Sequence, residues 1–120
     1  MVAIVTGASR GIGKAIALEL ASLGYDLAVV GRNAESLKQM AAEAKGVKIL
    51  PVVADLSQVQ SARQVVVETV RSLGGIDLLV NCAGIPQKGP FTEVTEEQWN
   101  EVFAVNARAP FSSARRRFCI

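Results

Sequence analysis

The chain has 120 residues, which suffices for one domain and leaves no room for a second. Half of the residues are hydrophobic, 5% are aromatic and 20% are charged, which excludes a disordered or fibrous protein and is typical of a globular α/β domain. The net charge of +2 is too small to indicate a nucleic-acid partner.

The first half of the chain predicts two strand–helix units. Val2–Val5 and Leu27–Val30 are apolar runs, and each precedes a stretch with helical periodicity. The first helix ends at Gly24, whereas the second is capped by Asn33 and ends at Gly46. The predicted buried faces hold Ile12, Ile16, Leu20 and Leu23 in the first helix and Leu37, Met40, Ala41 and Ala44 in the second.

The second half repeats this pattern, with strands at Val47–Val53 and Ile76–Val80. Ser57 and Gln60 have the spacing of a capping box and start a third helix, which Gly74 closes. Thr95 and Gln98 have the same spacing and start a fourth helix. The predicted inward faces hold Val59, Ala62, Val66, Val70 and Leu73 in the third helix and Trp99, Val102 and Phe103 in the fourth.

Uniformly apolar strands are expected to be buried on both faces, as in a parallel sheet with helices on each side. The alternation therefore predicts an α/β fold, a Rossmann-type doubly wound parallel sheet in one domain over residues 1–120, truncated after about four β–α units. The loop Ile85–Glu93 follows the carboxyl end of the last strand, at the edge where open α/β sheets bind ligands. Because no segment resembles a signal peptide or a membrane span, we expect a cytoplasmic protein without a membrane partner.

A glycine-rich turn, Thr6-Gly7-Ala8-Ser9-Arg10-Gly11-Ile12-Gly13, joins the first strand to the first helix. Glycines let the backbone approach a pyrophosphate closely, and the free N–H groups at a helix start attract the anion. A Walker A loop would need Gly where this chain has Ala8, and Ser or Thr where it has Ala15, so that loop does not fit. A Rossmann-type methyltransferase is expected to have an acidic residue where this chain has Thr6, which makes it a distant alternative. The turn therefore predicts a dinucleotide site, with a merely tight β–α turn as the alternative.

The residue types present exclude several kinds of catalysis and binding. The chain contains no His, which removes Ser-His-Asp, Cys-His and His-Glu-x-x-His chemistry. Cys82 and Cys119 lack metal-ligand spacing, so no metal site is expected. The basic run Arg115-Arg116-Arg117 has no interleaved aromatic residues, and it predicts a solvated helix end instead of a nucleic-acid surface.

Four motifs in one order resemble those of the short-chain dehydrogenase/reductase family. They are the glycine-rich turn, Asp55-Leu56 after the third strand, Asn81-Cys82-Ala83-Gly84 after the fourth, and Asn106 in the fourth helix. Cys82 departs from the family's usual second asparagine, and we interpret it as a small buried hydrophobic residue. The resemblance implies cofactor contacts from Thr6, Gly7, Ser9, Arg10, Gly11, Ile12, Gly13, Arg32, Asn33, Asp55, Leu56, Asn81, Ala83 and Gly84.

Two of these residues also have a purely structural interpretation. Asp55 could end a strand or cap the helix behind Ser57. Asn106 resembles the helix asparagine of the family's catalytic tetrad, and its spacing from Trp99 predicts that it projects from the apolar face, where a buried amide needs partners. The alternative is a helix distortion near Pro110 that the Asn106 side chain stabilises. The family resemblance includes that distortion, since there the asparagine helps to order a proton-relay water.

The residues after the second strand indicate which nicotinamide cofactor is bound. NAD enzymes place an acid there to bind the ribose 2′-OH, whereas a 2′-phosphate repels an acid and attracts arginine. This chain has Gly31 followed by Arg32, and Arg10 in the glycine-rich turn offers a second cation. The pair resembles family members that prefer NADPH, so NADP(H) is expected over NAD(H), with two solvated arginines as the alternative.

The family transfers a hydride between nicotinamide and a small-molecule carbonyl or alcohol, using a Tyr-x-x-x-Lys pair and a Ser. Tyr25 is followed four residues later by Val29 and not by Lys, and Ser112 and Ser113 lie too close behind Asn106 to match the family's Ser. The resemblance therefore assigns a catalytic role only to Asn106. We expect an NADPH-dependent oxidoreductase that lacks its Tyr-x-x-x-Lys segment here; the alternative is a non-catalytic Rossmann module that binds nucleotide or protein. The open edge of the last strand predicts association, as in a homo-oligomer.

Overall fold

The computed structural model describes residues 1–118, and the side chains up to Arg115. In this described part of the chain, four parallel strands form one sheet in the order β3-β2-β1-β4. The strands are β1 (Val2–Thr6), β2 (Asp26–Gly31), β3 (Ile49–Val53) and β4 (Leu78–Asn81). In this order β2 and β3 are added on one side of β1, and the chain then crosses over to add β4 on the other side of β1, which gives the predicted doubly wound α/β arrangement.

Five α-helices within residues 1–118 connect and flank these strands. They are α1 (Gly11–Ser22), α2 (Ala34–Glu43), α3 (Ser61–Leu73), α4 (Glu96–Phe103) and α5 (Ala109–Phe118). A 3₁₀ turn at Phe91–Glu93 precedes α4, and a π-helical turn at Ala104–Arg108 joins α4 to α5. Residues of α1 and α2 pack with one face of the sheet, and residues of α3 and α5 pack with the other.

The two central strands are buried on both faces as predicted, but the outer strands are not. Every residue of β1 is buried, and so are the four inner residues of β2. In β3 only Val52 is buried, and the strand starts two residues later than its apolar run. Pro51 lies in this strand and has no N–H for a further neighbour, which is compatible with a sheet edge and not with a central position.

The predicted apolar stripe of α1 is wrong at both ends. Ile12 is 77% exposed and Leu23 is 66% exposed, whereas the buried residues are Gly13, Ala17 and Ala21. The physical reason is the close approach of the helix to the sheet, which only small side chains permit. Gly24, with φ +89°, follows the helix end as predicted.

The helix starts were predicted well where the cap is local and poorly at α3. Asn33 Oδ1 accepts the Ser36 N–H, and Thr95 and Gln98 form both bonds of a capping box. The capping box predicted at Ser57 is absent, because α3 begins only at Ser61 and Ser57 bonds to Asp55 instead. Because α3 begins at Ser61, Val59, which was predicted to face inward, precedes the helix and is 63% exposed. The predicted end of α2 was also wrong, since this helix ends at Glu43, before Gly46, which was predicted to close it.

The outer edge of β4 is open, and three aromatic side chains of the helices that follow it are exposed. Within residues 1–118, no strand pairs with the outer edge of β4. Trp99 and Phe103, predicted to face inward, are 54% and 48% exposed and stack on each other with ring centroids 4.3 Å apart. Phe111 on α5 is 66% exposed. The unpaired edge of β4 agrees with the predicted open edge, and the three aromatic side chains are additional exposed apolar surface.

The carboxyl end of the chain is only partly described. Arg115 is exposed, as expected for a solvated helix end, while the side chains of Arg116 and Arg117 and all of Cys119 lie outside the described residues. Over the described part of the chain, no helix has both the length and the apolar character needed to cross a membrane.

Candidate functional site

A cavity of about 410 Å³ opens at the carboxyl edge of the sheet, where the chain leaves all four strands. This volume is within the usual range for small-molecule sites. The sequence-predicted residues that line it are Gly7, Ser9, Arg10, Gly11, Ile12, Gly13, Arg32, Asp55, Leu56, Ala83 and Gly84. The predicted residues that do not line it are Thr6, Asn33, Asn81 and Asn106.

The glycine-rich turn is held tightly against the loop that follows β4. A Cβ added to Gly7, which has φ +66°, would lie 2.8 Å from the Ala83 nitrogen. A Cβ added to Gly13 would overlap the carbonyl group of Gly7. Gly11 also has a positive φ, of +59°, but no atom lies within 4 Å of its added Cβ. Gly7 and Gly13 therefore permit a close contact between backbones, and Gly11 permits only a turn.

The start of α1 differs from the starts of α2 and α4 and resembles that of α3, which also lacks a side-chain cap and an acid in its first turn. Its N-cap, Arg10, makes no side-chain hydrogen bond to the helix, and its first turn carries no acid. In contrast, α2 and α4 have capping side chains and acidic residues in their first turns. The amino end of α1 thus points its N–H groups and its positive dipole end at the cavity without an acidic or capping side chain to neutralise them.

Thr6 supports this turn from behind the cavity. Its side chain is buried, and Oγ1 accepts the N–H groups of Cys82 and Ala83, each at 3.1 Å. The hydroxyl therefore ties the end of β1 to the chain leaving β4. Cys82 is half-buried and lines the cavity, so it is more accessible than the buried hydrophobic residue that was expected.

The end of β2 has space for a ligand and carries positive charge. Arg32 and Arg10 are both exposed and both line the cavity. A Cβ added at Gly31 would lie 3.3 Å from Leu37 Cδ2, so the site fits a small residue. Asn33 lies outside the cavity lining because its side chain caps α2.

Asp55 combines the two interpretations suggested by its position. Its Oδ1 accepts the Ser57 N–H at 2.9 Å and the Ser57 Oγ–H at 2.7 Å, which closes a turn after β3. These bonds, with a smaller attraction from Arg32, hold the pKa of Asp55 below its ordinary value of 3.8. Asp55 is therefore an ionised hydrogen-bond acceptor at neutral pH, and it also lines the cavity.

Asn106 is exposed, so the prediction that it would be buried is wrong. It lies in the π-helical turn, and its amide forms two bonds with the backbone of Ile85: Oδ1 accepts the N–H, and Nδ2 donates to the carbonyl, both at 2.8 Å. The predicted distortion is present, because Pro110 has no N–H with which to continue the α-helical ladder. Asn106 thus holds a cavity-lining residue without lining the cavity itself.

Asn81 also lies outside the main cavity. It lines a small hollow beneath the π-helical turn, together with Thr6, Leu56 and Val105. Its position at the end of β4 places it in the connection between the sheet and that turn.

Several residues of the cavity wall were not predicted from the sequence. Glu101 and Val105, four residues apart on the helix, both line it, as does Ile85. The i, i+4 spacing was visible in the sequence, but the direction of that helical face depends on how α4 packs. Arg108, which does not line the cavity, was also not predicted. Its Nη2 donates to the Ser57 carbonyl at 2.6 Å.

Comparison with known proteins places this arrangement among oxidoreductases. A family profile described as short chain dehydrogenase matches residues 1–118. Gluconate 5-dehydrogenase of Gluconobacter oxydans is 40% identical over 111 residues, which are 91% of this chain and 43% of the relative.

Two solved structures are similar in fold as well as in sequence. L-sorbose reductase of Gluconobacter frateurii, solved with NADPH and L-sorbose, has a TM-score of 0.90 and 34% identity over 95% of this chain and 44% of its own. A metagenomic short-chain oxidoreductase, solved with NADP, has a TM-score of 0.90 and 36% identity over 96% and 53%, respectively. The chain spans less than half the length of the curated relatives it matches.

Proposed function

The chain belongs to the short-chain dehydrogenase family, and on that basis we propose that it is the NADP(H)-binding part of an oxidoreductase acting on a small-molecule carbonyl or alcohol. The observation that carries the proposal is the cavity at the carboxyl edge of the sheet, on which the glycine-rich turn and two arginines converge. The bound cofactor would supply the hydride. The residues of this chain would bind and orient it.

The pyrophosphate group fits the glycine-rich turn. Gly7, Gly11 and Gly13 keep this part of the cavity free of side chains, and Ser9 adds a hydroxyl to the lining. The uncapped amino end of α1 supplies N–H donors and a favourable dipole for two phosphate charges. Thr6 would contribute indirectly, by holding the loop at Cys82 and Ala83.

A 2′-phosphate fits the end of β2. Arg32 follows Gly31 directly, and Arg10 lines the same cavity from the glycine-rich turn. Two guanidinium groups suit a phosphate, whereas a 2′-OH would find no carboxylate at Gly31 to accept its hydrogen bond. These contacts support the preference for NADP(H) over NAD(H).

The adenine ring and the nicotinamide half would occupy the rest of the cavity. Asp55 offers a carboxylate, and Leu56, Ala83 and Val105 offer apolar surface for a ring. Asn106 would act as a positioning residue here, since it holds the backbone of Ile85 at the cavity wall.

The 120-residue chain is expected to bind NADPH but not to oxidise it. Its one tyrosine, Tyr25, packs against the core at the amino end of β2, on the opposite edge of the sheet from the cavity. The described part of the chain then places no tyrosine at the cavity to protonate a developing alkoxide, and general acid catalysis usually contributes about 10²- to 10⁴-fold. Isothermal calorimetry should detect NADPH binding, while absorbance at the reduced-nicotinamide band should stay constant with a panel of reactive carbonyls.

The binding measurement and the turnover measurement test two different claims. Absence of NADPH binding by the folded chain would contradict the proposed cofactor. Oxidation above background, in a preparation shown to be free of longer enzymes, would show that a group in this chain replaces the family's tyrosine.

We also predict that the isolated chain is marginally stable and self-associates. The open edge of β4 exposes backbone donors and acceptors, and the exposed side chains of Trp99, Phe103 and Phe111 add apolar surface. Phe111→Glu should raise the monomer fraction measured by sedimentation velocity. Val67→Glu is the matched control, because Val67 is an exposed apolar residue on α3 and should leave the distribution unchanged.

A concentration-independent monomer with a sharp, reversible thermal transition would refute the predicted self-association.

A further inference from the structure

The π-helical turn is bonded to the two segments that follow the two outer strands of the sheet. Asn106 bonds to Ile85, in the loop after β4, and Arg108 bonds to Ser57, in the turn after β3. β3 and β4 are the two outermost strands, so about three strand spacings, roughly 14 Å, separate their axes. The turn is therefore hydrogen-bonded both to the loop after β4 and to the turn after β3.

The geometry of a helix explains how one short turn reaches both loops. Residues two positions apart on an α-helix point about 200° apart, so their side chains leave in roughly opposite directions. Asn106 and Arg108 have this spacing, and the wider π-helical turn retains much of that divergence. The small hollow beside the turn is lined by Leu56, from the turn after β3, and by Asn81, at the end of β4, so both segments adjoin the π-helical turn.

The bond from Arg108 acts on the turn that carries two cavity-lining residues. Ser57 donates both its N–H and its hydroxyl to the Asp55 carboxylate, so a displacement of Ser57 would move that carboxylate. Ser61 Oγ also donates to the Asp55 carbonyl. Leu56, between Asp55 and Ser57, is only 8% exposed and lines the cavity. The Arg108 bond to the Ser57 carbonyl is thus a hydrogen-bonded tie between this turn and the π-helical turn, in addition to the apolar packing of Leu56.

We propose that Arg108 is a positioning residue for the adenine side of the cofactor cavity, acting through the Ser57 carbonyl on Asp55 and Leu56. The inference rests on the proposed function, because it concerns how firmly the same cavity is shaped for the nucleotide. Arg108 does not line the cavity and is not expected to touch the cofactor.

The test compares two probes that occupy different parts of the cavity. Adenosine 2′,5′-bisphosphate requires the adenine side, whereas inorganic pyrophosphate requires only the glycine-rich turn. In Arg108→Met the bisphosphate should bind about five- to tenfold more weakly, and pyrophosphate should bind within about twofold of the parent chain, as measured by NMR titration. Arg115→Met is the matched control, since Arg115 is an exposed arginine of α5, and both probes should bind it normally.

Hydrogen exchange supplies a readout of the proposed coupling. The Ser57 amide, bonded to Asp55, should exchange faster in Arg108→Met, while the Ser36 amide, bonded to Asn33, should keep its protection. If Arg108→Met does not fold, Arg108→Lys is tested in its place. Because the lysine side chain is shorter than that of arginine, this variant should bind the bisphosphate more weakly and pyrophosphate as the parent chain does.

The possible outcomes separate the inference from the proposed function. A parent chain that binds neither probe contradicts the proposed function. A parent chain that binds both, with an Arg108 variant that binds the bisphosphate equally well, overturns the inference alone. Equal weakening of both probes also overturns it, because general destabilisation would then explain the loss.

Discussion

Replacing Arg32 by Asp is expected to reverse the order of cofactor affinity, so that NADH binds more tightly than NADPH. Arg32 and Arg10 are the two cations of the cavity lining, and Gly31 offers no acceptor for a 2′-OH. The substitution removes an attraction for the 2′-phosphate and introduces a carboxylate that repels it and accepts from a hydroxyl. A hydrogen bond to a charged group contributes about 1.5 to 3 kcal/mol, so each affinity should change by roughly tenfold or more.

Isothermal calorimetry with NADPH and NADH at neutral pH measures this reversal directly. Adenosine 2′,5′-bisphosphate and adenosine 5′-monophosphate repeat the comparison without the nicotinamide half. Lys45→Asp is the matched control, since it makes the same charge change at an exposed residue between α2 and β3, at the opposite edge of the sheet. Equal affinities of the parent chain for NADPH and NADH would refute the proposed preference, whatever the variant does.

Gly13→Ala should destabilise the fold severely and abolish nucleotide binding. The added methyl group would overlap the carbonyl oxygen and carbon of Gly7, and it would lie 3.2 Å from Cys82 Cβ. Both clashes with Gly7 involve backbone, which no rotamer change can relieve. Overpacking of this kind costs about 3 kcal/mol or more when the backbone must move, a large part of a small domain's stability.

Gly11→Ala is the control within the same turn. It introduces the same methyl group at a residue with φ +59° but with no atom within 4 Å of the new Cβ. The cost is then limited to left-handed backbone strain, about 1 to 2 kcal/mol. Urea denaturation of both variants, followed by circular dichroism, gives the two free energies of unfolding. Similar losses in the two variants would show that the contact with Gly7 is not what requires glycine at Gly13.

The sequence alone determined the features that depend on neighbours along the chain. Apolar runs alternating with helical periodicity predicted the parallel sheet, because strands covered by helices on both faces need no polar alternation. Asn33 and Thr95 were recognised as caps because a cap bonds only two or three residues ahead. The glycine-rich turn was located for the same reason, since it lies between one strand and the next helix.

The tertiary structure decided whatever depends on distances between residues far apart in sequence. Periodicity predicted a stripe containing Ile12, yet the backbone contact between Gly7 and Gly13 draws α1 so close that Ala17 and Ala21 face the sheet instead. The strand order places β3 at an edge of the sheet. Within its apolar run only Pro51 indicates an edge position, because proline has no N–H for a second neighbouring strand. The bond from Arg108 to Ser57 spans 51 residues, and it forms only because the π-helical turn and the end of β3 meet above the sheet.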